Sequence, residues 1–280
     1  MKNVAKGVSP LALSNYVAVM PSNSWEQFKK SKARRLALQA RLLLDQGGLC
    51  AYCEIDLKPA CPLGEADLRV EHFHPKSDGA TGHNWHLDWQ NLLATCHGGS
   101  RPDVVDAAQR HTSPDHTCDV PKGDHNWDNV ILNPLGLPHT PGLFSYERSS
   151  GSMKVDSGKC RTAAVDAVRA QETINRLALD SPRLRGFRKA ALDRINQQLI
   201  TMVQAGQPLE AARQDLARVL LAKNANHHWP PFSRLFAIIW AQQQSSSWPQ
   251  QATLARLCMK CIPAKARQGE SRGGSGVYWL

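Results

Sequence analysis

The 280-residue sequence has no apolar run long enough to span a bilayer, which excludes a transmembrane helix. Its first residues argue against a secretory leader. Lys2 and Lys6 resemble a charged leader start, but Pro10, Ser14 and Asn15 interrupt the stretch from Val8 to Met20, and no small-residue cleavage site follows. The expectation is a cytoplasmic chain without membrane contact. No internal repeat is present. Acidic charge is in deficit, with 24 Asp and Glu against 34 Lys and Arg, a net charge of +10. Such a surplus favours nucleic acid or another polyanion as partner, although a merely basic soluble protein has the same balance. Hydrophobic residues make up 42%, enough for a sizeable core, which excludes a disordered chain.

What is present is cysteine, at positions 50, 53, 61, 96, 118, 160, 258 and 261. An even count suits disulfides in a secreted protein, but nothing here points to secretion. The thiols are therefore expected to be free or bound to metal, with Cys61 and Cys160 structural.

Ser24 is placed to cap a helix, with Gln27 as its capping-box partner and Gly47-Gly48 as the stop. Lys29, Lys30, Lys32, Arg34 and Arg35 give that helix a basic run, either a solvated face or a stripe for phosphate. From Leu49 to about Pro134, Cys, His, Trp, Gly and Asp become dense and periodicity fades, as in small metal-stapled domains. A hairpin is expected from Leu143, Phe144 and Tyr146 through a turn at 149–152 to Met153–Val155. Helices are expected over 163–179, from Ser181-Pro182 to about Gly206, over 208–223, over 232–243 and over 251–261. The Gly- and Ser-rich tail ends in Tyr278-Trp279-Leu280, a candidate docking element.

Cys50-x-x-Cys53 is weak evidence alone. With Cys96 and Cys118 it supplies the four soft ligands that structural zinc takes in a tetrahedron. His97 or His116 are alternatives to one of the cysteines, and the long polar insertion between Cys96 and Cys118 makes Cys118 the hardest to assign. Between the thiolate pairs lies Val70-Glu71-His72-Phe73-His74-Pro75-Lys76-Ser77. A carboxylate that holds a hard cation beside a neutral imidazole suits phosphodiester hydrolysis. Neighbours in a regular strand face opposite sides, so Glu71 and His72 can share a site only where the strand ends or bulges; Pro75 makes an ending plausible.

These motifs, with Asp88-Trp89-Gln90-Asn91-Leu92-Leu93-Ala94-Thr95-Cys96 and His116-Thr117-Cys118-Asp119-Val120-Pro121-Lys122-Gly123-Asp124, resemble the HNH endonucleases over about residues 47–135. They look most like the PtuB-like nucleases of the Septu anti-phage system, also found with some retrons. The resemblance implies His72 as general base, Glu71 and Asp119 as ligands of a divalent cation (Mg²⁺ or Mn²⁺), and Asn91 as the residue that holds the loop and orients the base. It implies structural Zn²⁺ on Cys50, Cys53, Cys96 and Cys118, and a PtuA-like ATPase partner that gates cutting. His74 stands where that subfamily usually has Arg, so a phosphate contact is lost or a ligand gained. Asp119 replaces the usual His or Asn, which favours hard cations. Lys76 and Lys122 flank the site as candidate phosphate contacts, and Trp85 and His86 are candidate groove residues.

The expected fold is α+β: an N-terminal segment with a basic helix (1–46), a zinc-stapled ββα-metal core (47–135), and a hairpin with a mainly helical C-terminal region (136–280). The expected function is a DNA endonuclease of little sequence preference, alternatively a ribonuclease acting on tRNA or a non-catalytic zinc module that grips nucleic acid. The second CxxC, Cys258 to Cys261, is read as helical packing.

Overall fold

The structure, a computed structural model, describes residues 1–233. The expected helices over 232–243 and 251–261, Cys258 and Cys261, and the aromatic tail fall wholly or mainly outside the described residues. In chain order the elements are α1 (Leu11–Val19), α2 (Trp25–Lys29), α3 (Lys32–Gln46), β1 (Arg69–His72), β2 (Leu92–Thr95), α4 (Ala107–Arg110), β3 (Phe144–Tyr146), β4 (Met153–Val155), α5 (Ser157–Thr162), α6 (Ala167–Arg176), α7 (Pro182–Gln204) and α8 (Leu209–Leu220).

The capping box forms at the start of α2. Ser24 Oγ accepts from Gln27 N–H (3.4 Å), and Gln27 Oε1 accepts from Ser24 N–H (2.6 Å). The single basic helix expected here is two. Ser31 caps a fresh start for α3, because its hydroxyl accepts from Arg34 N–H and interrupts the run. Gly47 closes α3 at φ 62°, a conformation that favours glycine. The helix expected over 163–179 is shorter, α6 alone, and is preceded by a separate α5. α5 ends at Thr162, Ala164 adopts φ 52°, and Asp166 caps α6.

β1 and β2 pair antiparallel, with Arg69 opposite Thr95, Glu71 opposite Leu93 and His72 opposite Leu92. All four residues of β2 are buried. The free edge of so short a strand needs partners. Gln46, at the end of α3, supplies them: its side chain donates to Ala94 O (2.8 Å) and accepts from Ala94 N–H (2.7 Å). No long helix follows β2. Its place is taken by four-residue α4 and by a helix-like turn at 118–124, closed by Gly123 N–H to Asp119 O (3.1 Å). The fold is therefore mixed helix and small sheet; of the expected ββα unit, the two strands are present. The β3–β4 hairpin forms with Tyr146 opposite Met153.

One hydrophobic core runs from Val4 and Leu13 through Phe28, Leu38, Leu42, Leu92, Leu93 and Ile131 to Phe144, Leu184 and Phe232. The three expected segments contribute to it together. A small separate cluster of Ile195, Leu199, Ala212 and Leu216 joins α7 to α8. Buried Arg188 fixes the hairpin turn to α7, donating to Gly151 O (2.6 Å) and Leu179 O (2.9 Å).

The N-terminal segment lies against the loop before β2. Lys6 donates to Trp89 O and stacks 3.9 Å over the Trp89 ring, whose Nε1 donates to Gly7 O (2.9 Å). Burial lowers the Lys6 ammonium from 10.5 to about 7, only partly offset by Asp88 and Asp45. Between those values the unfolded chain holds a proton that the folded chain has shed, so stability rises with pH there. Lys6→Met is expected to raise Tm relative to the parent near pH ~6 and to lose that advantage progressively as pH rises from about 7 to 10.5. A Tm difference that does not change with pH rejects this reading of Lys6.

Candidate metal centre and active site

Four cysteines from three parts of the chain meet. Cys50 and Cys53 lie on the tight loop after α3, closed by Cys50 N–H to Ile55 O (2.9 Å). Cys96 follows the last residue of β2. Cys118 returns after the insertion in a left-handed conformation at φ 63°. Two close approaches pin that insertion at its base: Thr117 N–H donates to Gly98 O (2.9 Å) and Thr112 N–H to Gly99 O (3.0 Å). Buried Arg110 of α4 then bridges Asp56 (2.5 Å) and Asp67 (2.8 Å).

The sulfur separations are 3.9 Å (Cys50–Cys118), 3.7 Å (Cys53–Cys96) and 3.6 Å (Cys96–Cys118). Metal–sulfur bonds of ~2.3 Å in a tetrahedron place sulfurs about 3.8 Å apart, so the four residues fit a zinc-like ion. The insertion that made Cys118 hard to assign folds out of the way. His97 is not part of the cluster: its backbone N–H and its Nδ1 face Asp67 Oδ1 at 2.7 and 3.2 Å. His116 is also outside it. Cys160 is buried apart from the cluster. Cys61, expected to be structural, is exposed in a short turn.

Beside this knot lies a cavity of 370 Å³, whose wall includes Arg69, Glu71, His72, Lys76, Asp119 and Asp124. Glu71 and Asp119 are both buried. Burial, reinforced by Asp119, pushes the Glu71 carboxyl up to about 8. Burial likewise raises Asp119. Counter-charge is scarce. Arg69 Nε stands 2.8 Å from Asp119 Oδ2 and Lys122 Nζ 3.0 Å from Glu71 Oε1, yet neither Asp119 oxygen has a well-aligned hydrogen bond. Two buried carboxylates short of positive charge suit a hard divalent cation. The site is nevertheless looser than a closed cage. Among the described residues, the four cysteines are the one group of three or more His, Cys, Asp or Glu ligand atoms within 4.8 Å of one another.

His72, at the end of β1, is 7% exposed and sits edge-on to Trp25 with ring centroids 5.2 Å apart. Its Nε2 lies 3.1 Å from His86 O. A carbonyl only accepts, so Nε2 carries the proton and Nδ1 holds the lone pair. Burial, with Lys76, His86 and Lys122 nearby, lowers the imidazole to about 3. Glu71 and His72 have different partners, as strand alternation demands, yet both reach the cavity wall where β1 ends. Asn91 clamps the intervening loop: Oδ1 accepts from His74 N–H (2.6 Å), and Nδ2 donates to His74 O and Trp85 O (both 3.0 Å).

Two expected phosphate contacts are placed elsewhere. Lys122 is 1% exposed, does not line the cavity, and spends its ammonium on Glu71 and on His72 O (3.0 Å). His74 is buried, with Nδ1 2.6 Å from Asp128 and Nε2 2.9 Å from Asp78, so neither nitrogen is open to phosphate or metal. Trp85 stacks on the His74 ring at 4.0 Å. Lys76 alone of the three is partly exposed at the cavity, 3.9 Å from Glu26.

Three residues at these sites were not anticipated. Arg69 shares a strand face with Glu71, so period-two alternation carried the signal. Tyr52, inside the CxxC, is buried with its hydroxyl 3.5 Å from Glu71 Oε1. Arg183 of α7 reaches the cysteine cluster from 65 residues beyond Cys118, and no local pattern marks it.

The fold and site together define a mixed α+β protein in which a four-cysteine knot lies beside a recessed carboxylate–imidazole cavity. A protein of Escherichia coli named "Retron Ec83 putative HNH endonuclease" is 35% identical over 183 residues, covering 62% of this chain and 70% of that protein. The chain belongs to the HNH endonuclease family. No family model matches it.

Gly98 tests the knot. At φ 61°, a Cβ there would stand 2.1 Å from Thr117 O, the residue before Cys118. Gly98→Ala is expected to destabilise the protein by roughly 2–4 kcal/mol and lower its bound metal below one equivalent. A thermal melt and metal analysis matching the parent would show that this approach does not hold the cluster.

Proposed function

We propose that this chain is a metal-dependent endonuclease that hydrolyses phosphodiester bonds of DNA with little sequence preference. The observation that carries the reading is the meeting of Glu71, His72 and Asp119 on one recessed cavity, in a chain of the HNH family. Glu71 and Asp119 hold a cation, Mg²⁺ or Mn²⁺, because carboxylate oxygens are hard ligands. That cation, when bound, lowers the charge of the scissile phosphate and steadies the leaving oxygen.

His72 is the general base. Its Nε2–H is committed to His86 O, which leaves Nδ1 to take a proton from water. An imidazole held near 3 is neutral at working pH but weakly basic. An anionic phosphate entering the cavity raises it toward the useful range. Asn91 positions the loop that carries the His86 carbonyl, and Lys122 steadies Glu71 and the end of β1 from behind. Arg69 and Lys76, partly exposed at the mouth, receive the phosphate backbone. Structural zinc on Cys50, Cys53, Cys96 and Cys118 braces this arrangement.

The biological setting is an extension of the same reading. The relative's name places that protein with a retron. Together with the PtuB-like motifs, this supports a nuclease effector of anti-phage defence, held in check by a PtuA-like ATPase. No helix among the described residues is long and apolar enough to cross a membrane, in keeping with a chain that works in the cytoplasm.

Purified protein is expected to nick and linearise plasmid with Mg²⁺ or Mn²⁺ and to stop with EDTA. His72→Ala and Asp119→Asn should each lower the rate by ~10²–10⁴ while structural zinc is retained. Cutting that persists in a folded, zinc-loaded His72→Ala protein refutes the assigned base. Cleavage of tRNA with plasmid left intact reassigns the site to RNA. Binding of nucleic acid with no cleavage under any divalent ion leaves only a zinc-stapled binding module.

A further inference from the structure

The corner between α6 and α7 closes over the cysteine cluster, and the hydrolysis outlined above makes no use of it. Cys118 N–H donates to Leu177 O at 2.9 Å, tying the last thiol to the end of α6. Arg183, in the first turn of α7, reaches back to the same place. Its Nη2 donates to Thr117 Oγ1 (2.5 Å) and its Nη1 to Arg110 O (3.2 Å). The Thr117 hydroxyl lies 3.6 Å from Cys118 Sγ, in position to donate to it.

The third nitrogen, Arg183 Nε, is buried without a hydrogen-bond partner. Among the described residues no carboxylate forms an ion pair with this guanidinium. A partly buried cation with no acid beside it is costly unless negative charge comes from elsewhere. Sulfur is what surrounds it. The ionisable groups that act on it are Cys96, Cys53 and Cys118. Four neutral thiols would offer little. Four thiolates around one divalent cation carry a net double negative charge at the same spot.

We propose that Arg183 is the counter-cation of the metal-bound thiolate cluster, so that metal loading and docking of the α6–α7 corner on the nuclease core are coupled. The inference rests on the four-cysteine metal reading and not on the assignment of the hydrolytic cavity. Coupling is reciprocal. Loss of Arg183 weakens metal retention, and loss of metal loosens the corner. Arg183 is a positioning residue, since it acts through the sulfurs and not on substrate.

The test uses the full chain and zinc itself. Zinc transfer to a colorimetric chelator is followed for the parent, Arg183→Met and Arg183→Lys. Arg183→Met is expected to release zinc about 10–100-fold more readily, with Arg183→Lys recovering part of the loss because it keeps the charge. Trypsin cleavage at Arg176, Arg183 and Arg185 should appear in the chelated parent earlier than cleavage elsewhere, and zinc should restore protection. The proteolysis arm needs no variant, so it stands if Arg183→Met does not fold. Equal zinc release from parent and Arg183→Met overturns the inference, as does a corner that opens no earlier than the rest of the chain. A parent that binds no zinc removes the four-cysteine reading and this inference with it, whereas an inactive nuclease with normal zinc coupling leaves it standing.

Discussion

The convergence of Cys50, Cys53, Cys96 and Cys118 is the constraint on which this structure depends. The sheet at its centre is only two strands of four residues, too small to be stable alone. Four sulfurs at separations of 3.6–3.9 Å bind the loop after α3, the end of β2 and the return of a long insertion to one point. With Gln46 closing the edge of β2, they fix the frame against which β1 lies. The orientation of Glu71 and the position of Asp119, one residue past Cys118, both follow from it.

Charge balance decides what the cavity beside the knot can do. Burial raises the proton affinity of Glu71 and Asp119, Asp119 adds to the rise at Glu71, and the basic groups near them do not offset it. Arg69 is partly solvated, and Lys122 is shared between Glu71 and a backbone carbonyl. A site built this way holds its acids in place without neutralising them, which suits a dissociable cation better than a permanent ion pair. The overall charge of +10 acts at longer range, drawing a polyanion toward a cavity that is itself acidic.

The helical region is part of the same body as the nuclease segment. Leu184 of α7 lies in the common core, and Arg188 holds the β3–β4 turn. The α6–α7 corner packs beside the cysteine cluster. A helix that supplies both core packing and a cation beside the sulfurs ties α7 structurally to the region of the HNH motifs.

Sequence by itself determined the features that depend on neighbours along the chain. The Ser24–Gln27 capping box, the Gly47 stop, the Phe144–Val155 hairpin and the Ser181-Pro182 start are local hydrogen-bond and dihedral preferences, and each was legible. The four-cysteine cluster was legible because a tetrahedral metal site admits few residue types, and the Glu71-His72 pair stood out by its chemistry. Tertiary structure alone decided what those residues touch. Lys122 and His74 look like phosphate contacts in sequence, but burial turns them inward, to Glu71 and to Asp78 and Asp128. Local spacing could not choose between Cys118, His97 and His116, because that depends on how a 21-residue insertion folds back through Gly98 and Gly99. Arg183 lay beyond any motif, since a buried charge finds its partner through space and the sequence records only distance along the chain.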